Sequence, residues 1–275
     1  MLHVSTRGEI TRVELARTLL GRSLYAVSAF ALGDTLIDSG CPATSRELLG
    51  WARGRGIRRV VNTHYHEDHS GGDALLAREL GAEILAPADT VPCLAAFYRL
   101  PLYRRLTWGQ PTNVAACPLA DVVAVGPYRF EVIPTPGHSP DHVCLFDRDR
   151  GLLFSGDLYI SARARYLRRG EDAWTIIASL RRVRALEPRV VICSHAGFLE
   201  RPLAALDAKI AYWENLAERA RALVDNGLAP PDVAARLLGP EGFLTAFSGG
   251  DFSKRNLVLS LLGGAAPVAT AKLSA

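Results

Sequence analysis

Apolar residues along most of this chain come in short runs, bounded by turn-forming residues and interspersed with stretches of helical spacing. Tyr25 to Phe30 and Thr35 to Asp38 predict paired strands joined by the turn Gly33-Asp34, and Asp38-Ser39-Gly40 closes the unit. Ser45 to Arg53 predicts a helix and Arg58 to Asn62 a strand. Asp73 to Leu80 predicts a short helix, with an acidic start at Asp73 and a stop at Gly81. Val122 to Val125 and Tyr128 to Ile133 predict a hairpin about Gly126-Pro127. His142 to Phe146 and Leu152 to Ser155 predict a second, across Asp147 to Gly151. Asp172 to Leu186 predicts a helix closed by Pro188, and Arg189 to Cys193 the last strand of the core. Such alternation of strands and helices points to an α/β layered fold.

After His195 the pattern turns helical. Pro202 to Asn226 holds an amphipathic repeat of Leu203, Leu206, Ile210, Trp213, Leu216, Ala220 and Leu223, and stops at Gly227. Pro230 to Leu238 and Ser253 to Leu262 predict two further helices, followed by an Ala-rich frayed tail from Gly263. The expected division is therefore a layered domain over residues 1–200 and a helical extension over 201–275. The extension would cover an exposed apolar face, wall a substrate pocket, or pair two chains as a homodimer. No internal repeat or low-complexity tract interrupts the chain.

Composition narrows the class. The 275 residues, 49% of them hydrophobic, suffice for one large layered core. No apolar stretch approaches the length that crosses a bilayer, and Met1 to Glu9 lacks the apolar segment of a secretory signal. The five cysteines, Cys41, Cys93, Cys117, Cys144 and Cys193, are odd in number and have no Cys-x-x-Cys spacing. That usage fits a reducing cytoplasm, which is the expected location. Cys193 reads as a buried strand thiol. The net charge of +4 is too modest to imply nucleic acid by itself.

The chemistry concentrates in His64-Tyr65-His66-Glu67-Asp68-His69, directly after the strand that ends near Asn62. Four candidate metal ligands fall within six positions of a chain with seven histidines. Residues two apart in an extended segment point to one side, so His64 and His66 can share a cation. Beyond the turn, Asp68 and His69 can face a second one. Imidazole nitrogen with carboxylate oxygen suits zinc, and also iron or manganese. Three more candidates, His138, Asp157 and His195, lie where predicted strands give way to loops. His142 reads as a core or supporting histidine, His3 as a surface residue, and Asp141 as a carboxylate that orients His138 or a neighbour.

His-x-His-x-Asp-His, followed by Gly137-His138, Gly156-Asp157 and a final His195, resembles the metallo-β-lactamase-fold hydrolase superfamily. The resemblance runs from about Tyr25 to His195. It implies a four-layer αββα sandwich with a two-metal site at one edge, carrying here a small C-terminal helical appendage. It also implies two divalent ions, zinc foremost and iron or manganese as alternatives. His64, His66 and His138 would hold the first, Asp68, His69 and His195 the second, with Asp157 bridging. The lactamase branch usually replaces one of these ligands by Cys. This chain does not, which argues against antibiotic hydrolysis as its main activity.

Two cations about 3.5–4 Å apart can hold a bridging water and bring its pKa towards roughly 7. That hydroxide would attack a carbonyl carbon or phosphorus, with Asp68 orienting it and relaying its proton. Tyr159 is a candidate hydrogen-bond donor to substrate. Arg99, Arg104 and Arg105 form one dense basic stretch, and Arg163, Arg165, Arg168 and Arg169 another just after Asp157. The second is expected to bind phosphate, carboxylate or a coenzyme A tail of a small-molecule substrate. The first expectation is a hydrolase of an ester, thioester or lactone, similar to glyoxalase II and the acyl-homoserine lactonases. The alternatives are a phosphodiesterase or nuclease of the same fold, and an iron enzyme like the persulfide dioxygenases or a non-catalytic metal-binding protein. No extended basic stripe or RNA-binding arm supports the nuclease, and the complete second ligand set speaks against a single iron.

Overall fold

A computed structural model describes residues 1–19 and 21–263. The predicted tail from Gly263 falls almost entirely on residues 264–275, outside the described residues. Seven strands form the first sheet in chain order: β1 (Leu2–Arg7), β2 (Ile10–Leu19), β3 (Arg22–Leu32), β4 (Thr35–Ile37), β5 (Arg59–Val61), β6 (Glu83–Ala86) and β7 (Cys117–Pro118). Pairing is antiparallel from β1 to β4 and parallel from β4 to β7. A second sheet holds β8 (Val122–Val125), β9 (Tyr128–Pro134), β10 (Val143–Asp147), β11 (Leu152–Phe154), β13 (Val190–Cys193) and β14 (Gly197–Phe198). Its order is β14-β13-β11-β10-β9-β8. β12 (Leu167–Arg168) pairs instead with β15 (Phe252–Ser253), as a separate ribbon.

Helices cover both outer faces. α1 (Ser45–Ala52) and α3 (Asp73–Leu80) close a core with Val13, Leu15, Leu36 and Val60 of the first sheet. Between the sheets, Phe30, Ile37 and Val61 meet Phe130, Leu145, Phe154 and Ile192. On the far side, α6 (Ala173–Arg184), α7 (Pro202–Asp225), α8 (Pro230–Leu238) and α10 (Lys254–Leu262) pack on Phe146, Leu153 and Val191. The layers are therefore αββα, as expected, because the central strands of each sheet have apolar residues to bury on both faces.

The hydrophobic spacing located α3 and α8 to the residue, and α7 to within one position. It did not reveal the long β1–β2 hairpin, whose exposed first strand presents mostly polar residues. Nor did it reveal α4 (Val91–Ala95), or α5 (Leu102–Thr107), which has no buried apolar face. α2 (Glu67–Ser70) is a single turn following His66, and α9 (Phe243–Phe247) another near the C-terminus. Among the described residues no helix is long and apolar enough to cross a membrane.

Candidate metal centre

Four strand ends converge at one edge of the sandwich. β5 leads into His64, His66 and α2, β9 into the loop with His138, β11 into Asp157, and β13 into His195. The sheets are stitched there by two backbone bonds, Val143 N–H to Thr63 O at 3.0 Å and Ser28 N–H to Ser194 O at 2.8 Å. Two glycines make close approaches. A Cβ on Gly137 would lie 2.6 Å from the Ile176 nitrogen, and one on Gly156 2.6 Å from His142 Nε2; both have positive φ.

Two ligand-type clusters result. His64, His66 and His138 form the first, and Asp68, His69, Asp157 and His195 the second. In the first, His66 Nδ1 lies 2.9 Å from both His64 Nε2 and His138 Nε2. A neutral imidazole carries one proton, so three ring nitrogens facing one point cannot all be satisfied by one another. In the second, Asp157 Oδ1 is 3.3 Å from His69 Nε2, and its Oδ2 is 3.3 Å from His195 Nε2 and 3.4 Å from His138 Nε2. Asp157 thus faces both clusters. Asp68 Oδ2 lies 3.5 Å from His195 Nε2 and 3.8 Å from His69 Nε2. Buried His69 Nε2 and Asp157 Oδ1 have no hydrogen-bond partner. Nitrogen and oxygen donors left unpaired in a buried site fit a divalent transition metal such as zinc, iron or manganese.

The outward-facing ring nitrogens are fixed by neighbours. His69 Nδ1 meets Asp38 Oδ2 at 2.7 Å, His138 Nδ1 meets Glu171 Oε1 at 2.8 Å, His195 Nδ1 meets Ala26 O at 2.7 Å, and His64 Nδ1 meets Thr63 Oγ1 at 3.0 Å. Such partners set the tautomer and aim the other nitrogen inward. Asp38 adopts φ +58°, an uncommon conformation for a non-glycine residue, and its Oδ1 also accepts from Thr63 N–H at 2.8 Å. His142 is buried beside the site. Its Nε2 accepts from Asp157 N–H at 3.1 Å and its Nδ1 meets Thr135 Oγ1 at 2.8 Å, the supporting role read from the sequence. Asp141 orients a neighbour, accepting from Tyr65 N–H at 2.9 Å.

Electrostatics divide the clusters. Burial holds the His64 imidazole well below its ordinary value, and burial with the Arg168 charge does so at His66. Both therefore offer lone pairs. Burial also opposes charge on His69 and His195, but Asp157 beside them, with Asp38 and Asp68 at His69, holds both well above the ordinary value. Burial works against the ionised form of Asp157 too, and His195 and His69 outweigh it, keeping the carboxyl well below its usual range. A cation entering the second cluster would displace imidazole protons onto solvent.

The other sequence candidates separate. Arg168 reaches the site: its guanidinium lies 2.8 Å from His66 Nε2 and 3.4 Å from His138 O. Arg163 and Arg169 have exposed side chains, and Arg165 donates to Leu238 O at the end of α8. Arg104 does not join an anion-binding rim. It is committed to a bidentate pair with buried Glu67, at 2.6 and 2.7 Å. Tyr159 packs in the core against the C-terminal helices and is not brought together with the two clusters. The Tyr25 ring stacks on His195 at 4.7 Å with Trp108 beside it, an aromatic flank that no motif indicated. Glu171 was also missed, since a contact to an Nδ1 atom 33 positions away leaves no spacing signal, and Thr63, next to His64, was missed because a hydroxyl beside a histidine carries no ligand signature.

The sequence model of the metallo-beta-lactamase superfamily matches residues 27–195. The chain belongs to that superfamily. It is 34% identical over 150 residues to a hydroxyacylglutathione hydrolase of Rhodospirillum rubrum, covering 54% of this chain and 50% of that protein. It is 28% identical over 182 residues to the same-named protein of Erythrobacter litoralis, covering 62% and 64%. The chain thus spans about half the length of several curated relatives it matches. Among solved structures, a beta-lactamase domain protein from Burkholderia ambifaria superposes with TM-score 0.70 at 20% identity, covering 94% of this chain and 88% of that one. A metallo-beta-lactamase family protein from Thermus thermophilus gives 0.68 at 18% identity, covering 93% of each. At those identities the likeness is one of fold.

Proposed function

We propose that this protein is a metal-dependent hydrolase that cleaves an ester, thioester or lactone carbonyl of a small anionic substrate. The observation that carries the reading is Asp157, buried with one oxygen unpaired and set within 3.4 Å of ring nitrogens from both clusters. His64, His66 and His138 would hold one divalent ion, and Asp68, His69 and His195 a second, with Asp157 shared. Bound there, such ions supply Lewis acidity, bringing water towards a pKa of about 7 and stabilising charge on a carbonyl oxygen.

This chain's residues do the rest. Asp68 is ionised in the site, because His69 and His195 outweigh the burial that opposes its charge. Its carboxylate can accept a hydrogen bond from the attacking water and take up its proton. Glu171, Asp38 and Ala26 O keep His138, His69 and His195 aimed inward. Arg168 supplies positive charge beside His66 and His138 for an anionic group of the substrate, whereas Arg163, Arg165 and Arg169 lie farther out and shape the surrounding charge. The relatives named hydroxyacylglutathione hydrolase favour a thioester over the other carbonyl classes.

The test combines metal quantification with a panel of thioesters, lactones, phosphodiesters and a chromogenic lactam. Two transition metals per chain and turnover confined to carbonyl substrates are expected. Turnover of phosphodiesters alone, or one metal per chain unchanged by Asp157→Ala, would refute the reading.

A further inference from the structure

The C-terminal helices contribute a buried cation that no metal motif contains. Lys209, in the first half of α7, is 3% exposed. Its Nζ donates to Leu158 O at 2.9 Å and to Tyr159 O, and lies 4.9 Å from the centre of the Trp213 ring. Those carbonyls belong to the two residues that directly follow Asp157. A buried ammonium is costly unless its protons are satisfied, so a lysine kept there must hold something in place.

Asp157 is consequently gripped from both directions. Ahead of it, its own N–H is donated to His142 Nε2 at 3.1 Å. Behind it, the chain turns through Leu158 and Tyr159 onto Lys209. Ile160 then takes φ +54°, uncommon for a β-branched residue, so this turn is held against a local preference. Farther along, the segment is fastened repeatedly by the C-terminal helices: Trp213 Nε1 donates to Ala164 O, Asn256 Nδ2 to Leu167 O, and Ala173 N–H to Ser260 Oγ. Lys209 is the fastening nearest the metal centre.

We propose that Lys209 is a positioning residue of the metal centre, setting the Asp157 carboxylate between the two clusters through the Leu158 and Tyr159 carbonyls. This rests on the metal-centre reading above. The C-terminal helices then take part in the site through one side chain, in addition to closing the core.

Lys209→Met and Lys209→Gln would be made in the full chain, with Lys254→Met as a control. Lys254 is the other buried lysine of these helices, 7% exposed, and it donates to Pro240 O away from the clusters. Metal-free protein comes first: amide exchange at residues 157–160 should speed up in Lys209→Met and not in Lys254→Met. Cobalt titration against a chromogenic chelator follows. Partners that orient metal ligands carry roughly 10–100-fold in affinity. Acting through Asp157, Lys209→Met should weaken the second cobalt by about tenfold and change its visible spectrum. The first cobalt, which has three imidazoles besides the shared Asp157, should weaken less, with Lys209→Gln in between. If Lys209→Met does not fold, the Lys209→Gln comparison carries the test. Unchanged exchange at 157–160, or an equal weakening of both cobalt ions in the Lys209 variants and the Lys254 control, would overturn the proposal. A wild type that binds fewer than two cobalt ions yet shows the exchange effect would instead sink the two-metal reading.

Discussion

Replacing Arg104 by Met isolates what the Glu67–Arg104 pair contributes. Glu67 is fully buried one position before Asp68, and both its oxygens accept from the Arg104 guanidinium, 13% exposed, which enters from α5. The variant keeps most of the side-chain volume but leaves a buried carboxylate without its partner. Breaking such a pair costs about 3–5 kcal/mol. For a chain of this size that corresponds to a fall of roughly 6–20 °C in unfolding midpoint. The sign with pH is fixed. Burial already raises the Glu67 carboxyl above its ordinary 4.5 although Arg104 opposes it, and removing Arg104 raises it further. Between 4.5 and that raised value the folded chain holds more protons than the unfolded chain, so its stability falls as pH rises through the window. The deficit of the variant should therefore be smallest near pH 4.5 and grow towards neutrality. Adding Glu67→Gln should recover at least half of the loss at pH 7, because the stranded charge is gone. Denaturant unfolding of the two single variants and the double variant, at several pH values, gives the cycle directly. A loss below about 1 kcal/mol at pH 7, or a deficit that shrinks as pH rises, would refute the reasoning. If Arg104 bound substrate instead, the variant would raise KM and leave stability intact.

Asp68→Asn should lower kcat by on the order of a hundredfold while losing less metal than His66→Ala; full activity in the metal-loaded variant would exclude its proton-handling role. Glu171→Ala should weaken the first metal by roughly 10–100-fold, with Glu171→Gln milder because its amide oxygen still accepts from His138 Nδ1–H; chelator competition measures both. Gly156→Ala should abolish metal loading even where the protein folds, since the new Cβ would meet His142 Nε2 and displace the Asp157 backbone; elemental analysis checks it. Arg168→Gln alone should raise KM for anionic substrates as much as replacing Arg165, Arg168 and Arg169 together, and should spare a neutral ester.

The seven ligand-type residues were legible because each sits at a strand end or just past it, where apolar periodicity stops and a His or Asp follows. The alternation of strands and helices gave an α/β layered fold, and the four-layer αββα arrangement came from the family resemblance of the histidine motif. What escaped were contacts made by residues whose local sequence carries no signal. Glu171 beside His138 looks like any acidic residue preceding a helix, and Lys209 like a polar position in an amphipathic one. α5 escaped because it is anchored by the Arg104–Glu67 pair and by Trp108, not by an apolar face. Of the arginine stretch after Asp157, only Arg168 turns inward to the clusters. Proximity in sequence fixes where a segment passes and leaves the direction of each side chain to packing.

Each of the two clusters draws on both sheets. His64 and His66 follow β5 of the first, while His138, Asp157 and His195 follow strands of the second. A cation held by either cluster would therefore be a cross-link across the seam of the sandwich, joining parts of the chain more than seventy residues apart. Ligand bound only by the folded state stabilises it by about 4 kcal/mol at a thousand times its dissociation constant. The supply of metal would then govern how long each molecule lasts as well as how fast it works. Chains made in a metal-poor cell would open along the seam more often and meet proteases first, so the population that survives would be enriched in metal-loaded protein.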